Sequence, residues 1–358
     1  MKKRQYLTLI AAVLLAAACS NETVFTEDTP EPQPLVENAI TFSVDVKSGT
    51  RAVSEKSALA TNDAIGVFAC YTGDIKYNLS TVTPNYMYNQ QVTYAGSTWT
   101  YTPVKYWPNT VDGDGSHKDY ISFFAYYPYT ETAGTEGVIG FSSEDAAGDP
   151  WLVFLLPADA PANQTDLLYG VKTDGSPMLD MQKQTVTDKV SFSLRHALAC
   201  VGDNISICLS SELYSALGGT KSLYVNKVTI NYKNLTNKAR LILNSNESPN
   251  WQPVISGDYI SSRKVEITSD DYNYVAAGTS HTALTSTNPV EISSGNGLFY
   301  IPIHLGAVRQ EAEITVEYTV TDGVNTTTGS VSNSYILKED AQKKESINIV
   351  LGKKLLDP

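Results

Sequence analysis

The chain has 358 residues, 42% of them apolar and 18% charged, with 23 Gly, 16 Pro and 4 Cys. That balance excludes a disordered, collagen-like or disulfide-scaffolded chain, and the length suggests two domains, each able to bury a core. Acidic residues outnumber basic ones by 38 to 26, and the net charge of −12 disfavours nucleic acid and anionic membrane surfaces as partners.

Residues 1–18 read as an export signal: Lys2, Lys3 and Arg4 precede an uncharged apolar run from Tyr6 to Ala18 that is too short to span a bilayer as a helix. The run ends Leu15-Ala16-Ala17-Ala18-Cys19, which resembles a bacterial lipoprotein signal. The resemblance implies handling by the lipoprotein export machinery and lipidation of Cys19 as the new N-terminus. Ala16 stands where that signal usually has Leu, and secretory cleavage after Ala-x-Ala is the alternative. Residues 19–38, rich in Glu, Asp, Thr and Pro with few apolar anchors, read as a flexible tether.

The first strand is expected over 39–46, where Ile40, Phe42, Val44 and Val46 alternate with Thr41, Ser43 and Asp45, the period of a half-buried strand. It stops at Lys47-Ser-Gly-Thr-Arg51. Short runs of strand composition follow at Ile65–Tyr71, Tyr86–Tyr94, Trp99–Tyr101, Tyr120–Tyr127, Trp151–Leu156 and Val190–Leu198. Others follow at Ile205–Leu209, Leu223–Tyr232, Lys264–Thr268, Leu298–His304, Ala312–Thr321, Gly329–Leu337 and Ser346–Leu351. Gly, Pro, Asn and Asp clusters separate them, and Ser210–Leu217 is the single modest helical candidate. The fold class is therefore all-β, with stacked antiparallel sheets. The loop Thr173–Thr187 divides the chain into sandwich domains at 39–180 and 181–358.

Chemistry-bearing motifs are scarce. His117, His196, His281 and His304 lack partners at metal-ligand spacing, and no C-x-x-C pair, G-x-S-x-G elbow, H-E-x-x-H helix or phosphate-binding loop occurs. Neither enzymatic activity, a cofactor nor a metal is expected. His196 reads as a core histidine bonded to backbone. Asp112-Gly-Asp-Gly-Ser116 reads as an exposed turn, because His117 and a missing terminal Glu spoil the calcium-loop pattern. Cys70, Cys200 and Cys208 read as buried free thiols; eight residues along one strand hold the last two beyond disulfide reach. Aromatic clusters at Tyr86-Met-Tyr88, Tyr106-Trp-Pro108 and Phe123–Pro128 suit core packing or, alternatively, a glycan platform with Trp107 and Trp151 as contacts.

Several segments together resemble the fimbrillin family of type V pilus subunits. They are Ile40-Thr-Phe42, Thr50-Arg-Ala52, Asp63-Ala-Ile-Gly-Val-Phe-Ala69, Tyr106-Trp-Pro108, Ile121–Pro128, Asp166-Leu-Leu-Tyr-Gly170 and Val190–Ala199. The resemblance implies two tandem transthyretin-like β-sandwich domains and an outer-membrane or cell-surface location in a fimbrium. It implies cleavage between Arg51 and Ala52 by an arginine-specific protease. Loss of the strand bearing Ile40, Phe42, Val44 and Val46 would then open a groove for a strand of another fimbrial subunit. A monomeric surface lipoprotein that binds host glycan or protein is the competing expectation.

Overall fold

In the computed structural model the described residues are 38–47, 56–157, 164–185, 189–254, 260–267, 273–274, 284, 289–292, 297–303, 309–338 and 344–356. Cys19, Arg51, Ala52, His281 and His304 lie outside them.

Alternating and continuous apolar runs become strands. In chain order these are β1 (Phe42–Val46), β2 (Ala64–Gly73), β3 (Met87–Tyr94), β4 (Trp99–Thr100), β5 (Tyr120–Tyr127), β6 (Gly137–Phe141), β7 (Trp151–Leu155), β8 (Leu168–Val171), β9 (Val190–His196) and β10 (Ala199–Leu209). After the helix α1 (Ser211–Leu217) come β11 (Ser222–Thr236), β12 (Lys238–Ile242), β13 (Asn250–Gln252), β14 (Ile260–Ile267), β15 (Asn273–Tyr274) and β16 (Val290–Glu291). The last are β17 (Leu298–Tyr300), β18 (Glu311–Thr321), β19 (Thr326–Ile336) and β20 (Lys344–Leu351). The short helix starts at an N-cap, Ser210, whose hydroxyl accepts from the Leu213 N–H, and ends at Gly218 in the left-handed region.

A seven-stranded sheet runs β1-β9-β8-β5-β2-β3-β4, and a second sheet runs β13-β12-β7-β6. Phe68, Phe124, Tyr126 and Tyr169 of the first pack against Leu152, Phe154, Leu241 and Trp251 of the second. The opposite face of the first sheet is also buried, around Phe42, Val67, Trp107, Phe123 and Phe192. This is possible because the sheet curls: an antiparallel bridge joins Ala39 to Tyr106, bringing its two ends together. Central β5 therefore carries aromatics on both faces, as period-two geometry requires when both faces are dry.

A third sheet centres on β10, with β16 and β17 antiparallel to it and β20 parallel to it. Because β20 follows β10 along Cys200–Leu209, the other two strands share the opposite flank. The fourth sheet runs β14-β11-β18-β19, with β15 also on β11. Ile205, Ile207, Ile230, Val316, Ile347 and Leu351 fill the core between these two sheets. Sheet membership does not break at residue 180. β9 follows that residue yet completes the first sheet, while β12 and β13 build the second sheet with β6 and β7. Within the Thr173–Thr187 loop, residues 173–185 fold back against β5, since Met181 and Ile121 exchange backbone hydrogen bonds and Met178 is buried.

Candidate functional site: the seat of the first strand

β1 occupies one end of the seven-stranded sheet and, among the described strands, is paired along its length only with β9, in parallel, from Phe42 opposite Val190 to Val46 opposite Leu194. The Val190 N–H donates to the Thr41 carbonyl and the Lys47 N–H to the Leu194 carbonyl. On the other flank the Ile40 N–H donates to the Lys105 carbonyl at 2.9 Å. The Tyr101 hydroxyl donates to the Ile40 carbonyl at 2.8 Å.

Ile40 and Phe42 are buried, Val44 and Val46 half-buried, and Thr41, Ser43, Asp45 and Lys47 exposed. The Phe42 ring stacks on Phe192 with centroids 6.1 Å apart and meets Tyr101 and Phe123 edge-on. Full burial of Ile40 and Phe42 contributes roughly 1.5–3 kcal/mol each. The seat is thus an apolar trough floored by Val190, Phe192, Leu194 and Phe123, with one continuous backbone ladder along one wall. Burial pushes the Tyr101 hydroxyl up to about 12, against the opposing effect of its Lys105 backbone contact.

The segment 48–55, which contains Arg51, connects two fixed points. One is Lys47, bonded to Leu194. The other is Lys56, whose ammonium lies 2.6 Å from Asp63 and over the Tyr127 ring. The Tyr127 hydroxyl also donates to Asp63. Burial opposes charge on both Lys56 and Asp63, yet their mutual contact prevails: the ammonium is shifted up and the carboxyl down.

The other residues singled out by sequence are placed differently. Trp107 is 4% exposed and sits edge-on to Phe123, so its ring belongs to the trough and offers no face to a sugar. Trp151 is half-buried under the Arg240 guanidinium, 4.3 Å from its ring centroid. His196, read from sequence as a core histidine, is buried and pairs through Nδ1 with the buried Asp166 carboxylate at 2.7 Å; a partner thirty positions away leaves no local pattern. Cys70, Cys200 and Cys208 are buried thiols outside any disulfide. Among the described residues no group of three or more His, Cys, Asp or Glu side chains could hold a metal ion.

The fimbrillin-like family model matches residues 50–355. The chain belongs to the fimbrillin-like family. The match begins beyond β1, so the seated strand lies outside it. Fimbrium subunit Fim1C of Phocaeicola vulgatus is 28% identical over 201 residues, which are 55% of this chain and 50% of that one. The fimbrillin-like chain thus spans about half the length of this curated relative. A crystallised fimbrial protein from Bacteroides vulgatus shares the fold at a TM-score of 0.60 and 21% identity, over 88% of this chain and 95% of that one.

Proposed function

We propose that this protein is a structural, non-catalytic subunit of a fimbria, exported as a lipoprotein through Cys19 and assembled at the cell surface by strand exchange after cleavage at Arg51. The observation that carries the reading is the seat of β1: an end strand whose apolar face is buried at Phe42 and half-buried at Val44 and Val46, held along one flank and followed by a short basic link. Removing such a strand leaves unpaired backbone groups beside an exposed trough, a costly state until another strand supplies both. A strand from a second fimbrial subunit would satisfy it by β-augmentation, and a head-to-tail contact of that kind propagates as a filament.

The donor we assign is β20. Like β1 it is a parallel strand on one flank of its neighbour, with Ile347, Ile349 and Leu351 buried and Ser346, Asn348 and Val350 exposed. Three alternating inward apolar residues match the spacing of Phe42, Val44 and Val46. The glycan-binding alternative draws no support from Trp107, whose ring is buried, or from Trp151, whose ring is half-buried and carries the Arg240 guanidinium.

The test is digestion of the exported chain with an arginine-specific protease. The expected result is a product beginning at Ala52 and the appearance of multimers that resist detergent. A chain left intact under conditions where the protease cuts a control loop, or a cut chain that stays monomeric, would refute strand exchange.

A further inference from the structure

The fourth sheet ends in an edge that, among the described residues, has none of the usual protections. β19 pairs with β18 through eleven consecutive positions, from Thr326 opposite Thr321 to Ile336 opposite Glu311, with no bulge. No described strand pairs with its other side. Its sequence, Thr-Thr-Thr-Gly-Ser-Val-Ser-Asn-Ser-Tyr-Ile, holds no charge and no Pro, although the chain as a whole carries −12. Long uncharged edges pair with other strands unless something blocks them. Beside this edge, between β19 and β20, opens a groove of about 550 Å³ lined by Val316, Val331, Tyr335, Ile347 and Ile349 among others. Ile336 and Val350 are each more than half exposed at the same edges.

We propose that β19 is a contact between two copies of this chain, pairing antiparallel about a two-fold axis through Val331. Self-pairing continues the antiparallel order that β18 and β19 already have. A two-fold axis normal to the sheet keeps the groove face of both copies on one side, so directly opposed residues share the parity of the pleat. Val331 is the midpoint of Thr326–Ile336, and centring there pairs all eleven residues. Val331 meets its counterpart over the groove, Ser330 lies opposite Ser332, and Thr326 lies opposite Ile336. No like charges face each other within the strand. Continued past its ends, the same register brings Lys338 of each copy toward the Asp322 turn of the other, so opposite charges meet where the pairing stops. The contact uses one patch on both partners and closes as a dimer. It engages neither β1 nor its seat, and it is a property of the uncut chain, in which β20 still lines the groove.

The test is sedimentation equilibrium of the uncut exported chain, with Cys19→Ser to remove any lipid. The expected result is a concentration-dependent monomer–dimer equilibrium. The double variant Ser330→Lys, Ser332→Lys sets Lys against Lys across the axis at two exposed positions and weakens the dimer at least about tenfold. Mixing it with Ser330→Glu, Ser332→Glu restores a heterodimer. Val331→Cys sets two thiols opposite each other across the axis, with Cβ atoms about 4.5–5.5 Å apart, so a short bis-maleimide links the two copies as a dimer. A wild-type chain that stays monomeric at every concentration, or a lysine variant that dimerises as well as wild type, overturns the proposal. In the first case the edge serves a different strand or none.

Discussion

The Tyr101 hydroxyl donates to the Ile40 carbonyl at 2.8 Å, clasping the residues before β1 to the residue that follows β4. The clasp lies on the flank of β1 that β9 does not cover. Its removal in Tyr101→Phe costs about 1 kcal/mol of seating at neutral pH. Because the folded hydroxyl titrates at about 12 rather than 10.0, the contribution is fully present below pH 10 and is lost as pH rises through 12. A fluorophore on exposed Asp45→Cys reports release of β1 in urea. The midpoint difference between the wild-type and Tyr101→Phe chains should hold to pH 10 and then fall as pH rises toward 12, since burial opposes the ionised hydroxyl; a difference that stays constant over that range would show that the clasp does not hold the strand.

Two glycines in the family-like segments are required by close approach. A Cβ on Gly170 would lie 2.7 Å from the Phe192 ring and 3.0 Å from the Ala125 Cβ, and one on Gly66 would lie 2.1 Å from the Tyr126 ring. Gly170→Ala must therefore displace Phe192, the ring on which Phe42 stacks. Overpacking of this kind costs about 1–3 kcal/mol. Urea unfolding should show that loss, with β1 released earlier than in wild type and part of the loss recovered by Phe192→Leu. Unchanged seating of β1 in Gly170→Ala would mean that the trough yields elsewhere.

Much of this fold was legible in the sequence because its strands announce themselves by composition. The runs at 65–71, 86–94, 120–127 and 312–321 all form strands, and the single expected helix forms where Ser210 caps it. The two cysteines placed on one strand both lie on β10. What escaped has a physical cause in each case. β12, Lys-Ala-Arg-Leu-Ile, reads as a polar segment because Arg240 lies across Trp151 and covers apolar surface with its planar head. β6, Gly-Val-Ile-Gly-Phe, carries two glycines that suggest a loop. Pairing is a long-range property, so composition could not say that β1 joins β9 in parallel, nor that residues after 180 would complete the first sheet. The candidate site was half visible: alternation marked Ile40, Phe42, Val44 and Val46, while the Tyr101 clasp and the Phe192 floor required the fold.

The three described cysteines should be inert. Burial, with Asp149 nearby, pushes the Cys70 thiol up to about 12, and burial also raises the Cys208 thiol. Cys200 is 3% exposed on the same strand as Cys208. Thiolate is the reactive form, so Ellman's reagent at pH 8 should titrate none of them in the native Cys19→Ser chain and all three in guanidinium. Fast labelling of Cys208 without denaturant would reveal local opening between β10 and β20, since its thiol contacts Asn348 of β20.

The assignment of β20 as donor can be tested without any filament. A peptide spanning Lys344–Gly352 carries Ile347, Ile349 and Leu351 at alternate positions, so it can set all three into the trough vacated by Phe42, Val44 and Val46. Its backbone can follow β9 in parallel, as β20 follows β10. Slipping the register by one residue would turn Ser346, Asn348 and Val350 inward, leaving two polar side chains in the apolar trough, and this fixes the seat occupied. The chain cut at Arg51 should therefore bind the peptide, and the uncut chain should not. Ile349→Asp in the peptide should abolish binding, because it places a carboxylate against Phe192 or its neighbours without a partner. Equal binding by cut and uncut chains would show that the peptide finds another edge; no binding by the cut chain would remove β20 as the donor while leaving the seat open to a different strand.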